Sequence, residues 1–315
     1  MWFWKHEQTR YVAEVMVSDF YNFDSRLPFI KRFLKRNQIT IRAVQDISFT
    51  IKRGSIVGFI GSNGAGKSTT IKMLTGTLYP SSGKLEVNGE IPFKRSINFR
   101  KKISIVVGNK LQLFQDVSAM DYFQLIGTLY EVEPAILQER IQELSNLLNV
   151  KDQLYQQVRT LSLGQKMKME FIAASLTSPE ILFLDEPTIG LDIQSKKDIR
   201  TFLKKMNEEC HTTIILTSHD MDDISSVCDE LIVIDKGKII LQESMDVILS
   251  KFSDFKYLKI KMTLDLVPEL CSVKGVVVIS QTKSECILKI PRDFVFETLE
   301  SINKLVDIED FEISN

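Results

Sequence analysis

The run Gly61-Ser62-Asn63-Gly64-Ala65-Gly66-Lys67-Ser68-Thr69 fits G-x-x-x-x-G-K-[ST] at every fixed position. In that pattern the backbone N–H groups of a glycine-rich loop cradle phosphates, and the lysine reaches the outer ones. The flanks supply the context that such a loop needs. Ile56-Val57-Gly58-Phe59-Ile60 leads in as a buried strand, and Thr70-Ile71-Lys72-Met73-Leu74 leads out as an apolar-periodic helix. A loop of this kind holds nucleotide phosphates.

Working outward, the chain reads first as β structure. Val15-Met16-Val17 and Ile39-Thr40-Ile41 are expected to be short strands. Ile47-Ser48-Phe49-Thr50-Ile51 alternates as a half-buried strand does. Asn88-Gly89 after Lys84–Val87 is a hairpin turn signal, and Ile103–Val107 is a further strand. From about residue 117 to 175 the period becomes helical, with Ile136, Arg140, Ile141, Leu144, Leu147 and Leu148 as one stripe. Near-continuous apolar runs then return at Ile181–Leu184, Thr213–Leu216 and Leu231–Ile234. Strands apolar on both faces are covered by helices on both sides, so the fold class is α/β around a mostly parallel sheet. Beyond about residue 245, Lys256–Met262 and Glu285–Ile290 read as strands and Phe294–Leu305 as an amphipathic helix. The expected organisation is one large domain over residues 11–245, with a helical subdomain at about 112–175, and a small α+β domain over 246–315 that carries no chemical motif.

Bulk properties narrow the function classes. The 315 residues are 44% hydrophobic and 26% charged with a net charge of −1. No global basic field argues for a nucleic-acid partner. No apolar run has bilayer length, and Met1–Glu7 lacks the apolar core of a signal peptide. Cys210, Cys228, Cys271 and Cys286 are scattered, with neither metal spacing nor a disulfide framework, as in a reducing compartment.

Three further motifs acquire meaning from the phosphate loop. Asp185-Glu186-Pro187 follows a buried strand. Asp185 there reaches a Mg²⁺ that also binds the Ser68 hydroxyl, and Glu186 orients or deprotonates the attacking water. An Asp-Glu pair opening a loop is otherwise ordinary, but ligands of α/β sheets sit at the carboxyl ends of strands. Leu161-Ser162-Leu163-Gly164-Gln165 opens a helix and offers a hydroxyl and free N–H groups to an anion, although a serine N-cap alone is commonplace. His219, in Thr217-Ser218-His219-Asp220, stands at a strand's carboxyl end within reach of a terminal phosphate.

In this order the motifs resemble those of the ATP-binding cassette (ABC) ATPases, over about residues 11–245. Gly61–Thr69 is similar to the family's Walker A, Leu161–Gln165 to its signature, and Leu182–Glu186 to Walker B with the catalytic glutamate. Ile189-Gly190-Leu191-Asp192 is similar to the D-loop, and His219 to the switch histidine. The wording is most like a bacterial branch of exporter subunits with separately encoded permeases. The resemblance implies a phosphate-loop NTPase core with an antiparallel β subdomain and an inserted helical subdomain. It also implies ATP and Mg²⁺ as cofactors, with Glu186, His219 and Lys67 catalytic. Ser68, Asp185 and Asn109 would hold the metal. ATP would contact Gly61, Ser62, Asn63, Gly64, Ala65, Gly66, Lys67, Ser68, Thr69 and Asn109, together with Ser162, Gly164, Gln165 and Asp192. Three positions depart from the family pattern. Leu163 replaces the first signature glycine. Asn109 stands where the family has a glutamine, with Gln112 as the alternative. Tyr21, or Phe20, takes the place of the adenine-stacking aromatic.

The implied partners are a second cassette, the same chain or another, and a membrane permease at the cytoplasmic face of the cell membrane, received by the helical block. The other reading is a soluble ABC ATPase acting on ribosomes or DNA. A basic amphipathic stretch, Leu27, Ile30, Phe33 and Leu34 interleaved with Lys31, Arg32, Lys35 and Arg36, either faces a membrane or packs on its own domain.

Overall fold

The computed structural model describes residues 10–15, 43–253, 255–262, 276–282, 285–291, 298 and 308–314. The chain divides into two compact units, Met1–Glu243 and Ser244–Asn315. Tyr21, Phe20, the stretch 27–36, Ile39–Ile41 and nearly all of the expected helix Phe294–Leu305 lie outside the described residues.

The first unit begins with an antiparallel pair, β1 (Arg10–Val15) and β2 (Ile47–Lys52), in register from Arg10 opposite Lys52 to Val15 opposite Ile47. β2 buries Ile47, Phe49 and Ile51 on one face, as its alternation requires. β3 (Ile56–Ile60) runs into the phosphate-loop motif, and α1 (Lys67–Leu74) follows. Lys84–Val87 forms no continuous strand; Leu85 and Val87 are isolated bridge residues, Val87 pairing with Glu90 across Asn88-Gly89. Both turn residues have positive φ, 54° and 76°, the turn type that Asn-Gly favours.

α2 (Ile97–Lys102) and β4 (Ile103–Val107) precede the helical block. The block holds α3 (Ala119–Leu129), α4 (Pro134–Leu147) and α5 (Leu163–Ser175). Of the expected stripe, Ile141, Leu144 and Leu148 are buried and Arg140 and Leu147 are half-buried; Ile136 is exposed and Leu137 takes the inward place beside it. The sheet then resumes with β5 (Ile181–Asp185), α6 (Ile193–Cys210), β6 (Thr213–Ser218), the short α7 (Met221–Ser225), β7 (Glu230–Asp235) and β8 (Lys238–Ser244).

The six-stranded order is β4-β5-β6-β3-β7-β8. The pairings of β4 with β5, β5 with β6, β6 with β3 and β3 with β7 are parallel. β3, β5 and β6 are buried along nearly their whole length, which is why they read as unbroken apolar runs. Register places Ile60 beside Ser218 and Asp185 beside Thr217. The carboxyl ends of β5, β6 and β3 therefore stand next to one another, although they are far apart in sequence.

The second unit contains α8 (Met245–Ser253) and a four-stranded antiparallel sheet. Its strands are β9 (Phe255–Met262), β10 (Val277–Gln281), β11 (Glu285–Pro291) and β12 (Ile308–Ser314), in the order β10-β11-β9-β12. Leu258, Ile260, Cys286, Leu288 and Ile290 form its buried face.

Candidate functional site

The phosphate loop is shaped by close backbone approach. A side chain at Gly61 would collide with the Ile234 carbonyl at the end of β7. Gly66 sits at φ 112° and would strain with any Cβ. Gly66 is also the N-cap of α1 and provides no side-chain cap, so the first N–H groups of the helix are left for an anion. Ser62, Asn63 and Gly64 are exposed at the mouth, Ala65 is buried beneath, and Ser68 and Thr69 are half-buried on the first turn. Lys67 is 6% exposed. Its Nζ donates to the carbonyls of Gly61 at 2.6 Å and Ser62 at 3.3 Å, and lies 3.4 Å from Glu186 Oε1.

Across the sheet, Asp185 ends β5. Its Oδ1 accepts from Ser68 Oγ at 2.9 Å and from Thr217 Oγ1 at 2.8 Å. Thr217 is fully buried and its hydroxyl also accepts the Glu186 N–H at 3.0 Å. One threonine on β6 thus fixes both acidic residues. Glu186 adopts φ 51°, a left-handed conformation that costs a non-glycine residue roughly 1–3 kcal/mol and is held by its surroundings. That backbone turn aims its carboxylate at Lys67 on one side and at His219 Nδ1, 2.6 Å away, on the other. Hard oxygen donors, Ser68 Oγ and Asp185, converge at hydrogen-bond distance, which fits a magnesium ion that takes its remaining ligands from phosphate and water.

The signature residues stand apart from this group. Ser162 caps α5 in a reciprocal box: Ser162 N–H donates to Gln165 Oε1 at 2.9 Å, and Gln165 N–H to Ser162 Oγ at 3.2 Å. Leu163 is 45% exposed. Gly164 packs against the start of α6, where an added Cβ would collide with Ser195 Oγ and lie 3.1 Å from Asp192 Oδ2. Asp192 caps α6, accepting from Ser195 N–H at 2.8 Å and Ser195 Oγ at 2.7 Å, and the first of these bonds chiefly holds its carboxyl below the usual range. Among the described residues, no hydrogen bond or ion pair joins Ser162, Gly164 or Asp192 to the Lys67–Glu186–His219 group.

Asn109 is exposed in the turn after β4, one residue beyond Gly108, whose N–H donates to the Asp185 carbonyl at 2.9 Å. Gln112 turns back instead, its Nε2 donating to the Ile105 carbonyl at 2.9 Å.

Several residues of this neighbourhood carried no motif. Thr217 was legible only as a neighbour of His219. Asp223 is buried and ties α6 to the switch segment: it pairs with Arg200, lies 3.6 Å from Lys196 Nζ and accepts from Thr188 Oγ1 at 2.6 Å. Glu170 interrupts the buried run Met169–Ile172 of α5, and a carboxylate in such a run is the one sequence signal it had.

A phosphate loop on β3, an aspartate on β5 and a histidine on β6, all at carboxyl strand ends, define a phosphate-loop nucleoside triphosphatase. Residues 44–189 match the family model described as "ABC transporter". The chain is 32% identical over 216 residues to the ABC transporter ATP-binding protein NatA of Bacillus subtilis, covering 69% of this chain and 87% of that protein. It is 34% identical over 197 residues to the linearmycin resistance ATP-binding protein LnrL of the same organism, covering 62% of this chain and 63% of that one. Among solved structures, cbiO1 from Clostridium perfringens, part of the ABC transporter complex cbiONQ, superposes with TM-score 0.63 at 26% identity, covering 78% of this chain and 92% of that one. The dimeric cassette MJ0796 shares the fold, with TM-score 0.63 at 20% identity over 75% of this chain and 99% of that one. The chain belongs to the ABC transporter ATP-binding family, and is an ATP-binding, ATP-hydrolysing cassette.

Proposed function

We propose that this chain powers export through a separately encoded permease, by closing head-to-tail on a second cassette around ATP. The observation that carries the reading is the separation of two half-sites. Lys67, Asp185, Glu186 and His219 gather at three adjacent strand ends, whereas Ser162 is exposed at the start of α5 and Gly164 is buried against Ser195 of α6, and neither bonds to that group. In a head-to-tail pair the Ser162–Gln165 motif of one chain caps the phosphates held by Lys67 of the other, so a single chain is half of each site. Glu186 acts as the base toward water, and His219, bonded to it, orients that carboxylate and reaches the terminal phosphate. Ser68 and Asp185, with Asn109 as the third protein contact, would hold a Mg²⁺, which would neutralise charge on the phosphates. Tyr21 is the residue we assign to adenine stacking, with Phe20 the alternative. Residues 11–245 form the ATPase domain and 246–315 a separate small domain.

No helix among the described residues is long and apolar enough to cross a membrane. The cytoplasmic face of the membrane is reached through the permease. A cleft of about 420 Å³ between β4 and the helices α3 and α5 supports docking there. Tyr122, Ile126, Tyr130, Arg95 and Arg100 are among its lining residues. A net charge of −1 gives no support to a nucleic-acid target. Two experiments test the reading. ATP must drive Glu186→Gln into a stable dimer, and tagged chain must recover a multi-span membrane protein from detergent-solubilised membranes of its source. A strictly monomeric variant at saturating MgATP contradicts the mechanism, and recovery of ribosomes instead contradicts the transport role.

A further inference from the structure

The loop after β4 is held at both ends, and the two anchors belong to different halves of the site. At its start, Gly108 lies directly against Glu186: its N–H bonds the Asp185 carbonyl at 2.9 Å, and an added Cβ would collide with the Glu186 carbonyl oxygen. At its end, the N–H groups of Gln112 and Leu113 both donate to one atom, Oε1 of Glu170, the second at 2.8 Å. Glu170 is 5% exposed, midway along α5. A buried carboxylate is costly unless its oxygens are engaged, so this position is expensive to maintain for packing alone. Burial, the largest influence, pushes its carboxyl above the usual range, against the two N–H donors. Both Gln112 and Glu170 line the 420 Å³ cleft.

α5 carries Ser162 and Gly164 at its N-terminus, eight and six residues before Glu170. Two residues before Glu170, the buried Lys168 donates to Asp198 Oδ2 at 2.6 Å, tying α5 to α6 and hence to Asp192 at the α6 cap. A continuous set of bonds therefore runs from the Asp185 carbonyl, one residue before Glu186, through Gly108–Leu113 to Glu170, along α5 to the signature, and across to α6.

We propose that Glu170 is a positioning residue, a clamp that makes the loop Gly108–Leu113 move with the signature helix, so that the hydrolytic residues on the strand ends and the capping motif on α5 are set together. The proposal rests on the two-half-site reading above. Glu170 acts through the backbone N–H groups of Gln112 and Leu113. Loss of the clamp therefore spares nucleotide capture by the Lys67 loop and slows hydrolysis.

The test uses the full chain with MgATP, comparing wild type with Glu170→Ala, Glu170→Gln and Glu170→Asp. Steady-state turnover and amide hydrogen exchange of the segment around Gln112–Leu113 are the readouts. Expected for Glu170→Ala is a kcat loss of about tenfold or more, on the scale of a displaced catalytic group, with KM for ATP within about twofold and faster exchange at Gln112 and Leu113. Glu170→Gln retains a carbonyl acceptor at the same reach and recovers turnover to within about threefold of wild type. Glu170→Asp keeps the charge but falls about 1.5 Å short, one bond of reach, and behaves like Glu170→Ala; it also stands in if Glu170→Ala does not fold. Unchanged exchange at Gln112 and Leu113, turnover of Glu170→Ala or Glu170→Asp within twofold of wild type, or Glu170→Gln as slow as Glu170→Asp each overturn the clamp. The exchange readout needs no turnover, so it is separable from failure of the two-half-site reading, which shows instead as a wild-type chain whose hydrolysis does not depend on Glu186.

Discussion

Gly108→Ala adds one methyl group, and the structure says where that group must go. The new Cβ falls inside the van der Waals envelope of the Glu186 carbonyl oxygen and also 3.1 Å from Pro187 Cα. An ordinary carbon–oxygen approach is about 3.3 Å, so one backbone must retreat by about 1 Å or more. Neither backbone is free. The Gly108 N–H is bonded to Asp185, and Glu186 N–H is bonded to the hydroxyl and carbonyl of Thr217 at 3.0 and 3.2 Å. Displacing a catalytic carboxylate by about 1 Å costs on the order of 10²-fold in rate, which is about 2.7 kcal/mol in barrier height. Overpacking itself destabilises by about 1–3 kcal/mol. The assay is steady-state ATP hydrolysis by the full chain, paired with fluorescent-nucleotide binding and thermal melting. The expected result is hydrolysis down by about two orders of magnitude with nucleotide affinity within threefold. A folded Gly108→Ala chain hydrolysing within twofold of wild type refutes the reasoning, since the Glu186 backbone would then have moved without consequence.

Thr217→Val keeps the shape but removes the hydroxyl shared by Asp185 and the Glu186 N–H. It is expected to destabilise the first unit by about 1–3 kcal/mol in urea unfolding and to lower kcat more than it raises KM. Asp220→Asn tests an electrostatic contribution with a definite sign. The hydrogen bond from Lys196, 2.8 Å long, is the largest influence holding the Asp220 carboxyl below its usual range. A depressed carboxyl contributes stability that is fully present above its unfolded value, about 3.9, and is lost as pH falls through the lower folded value. Because the pair is partly exposed, wild type should exceed Asp220→Asn by only about 0.5–1 kcal/mol at pH 7. That difference should shrink as pH falls through the lowered folded value, as measured by urea unfolding at pH 7 and at successively lower pH; a difference that grows on acidification contradicts the assignment.

Much of the fold could be read from the chain because its strongest signals are local. Unbroken apolar runs marked β3, β5 and β6, and each motif sat where its run ended. Register then did what sequence cannot display, bringing Asp185 beside Thr217 and Ile60 beside Ser218. The unread parts depend on partners distant in sequence. Glu170 and its N–H donors are 57 and 58 residues apart. Thr217 reaches Asp185 across 32 positions. Nothing local distinguishes Gly108 from any other glycine after a strand, since only the neighbouring Glu186 backbone forbids a side chain there. In the α4 stripe only Ile136 was misplaced, because Ile136 and Leu137 are equally apolar and only tertiary packing chooses between them. β10 and β12 went unread because short strands at the rim of a small sheet carry weak alternation, and Val277 and Ile279 are exposed.

One chain is proposed to hold half of each ATP site, with Glu186 as the group that resets the pair. The most direct test is the mass of Glu186→Gln by light scattering, with and without saturating MgATP, alongside its turnover. Glu186→Gln is expected to be a monomer without nucleotide and a dimer retaining ATP with it, with hydrolysis lowered by at least about 10²-fold. A variant that stays monomeric with ATP bound, or that turns over at the wild-type rate, contradicts the proposal.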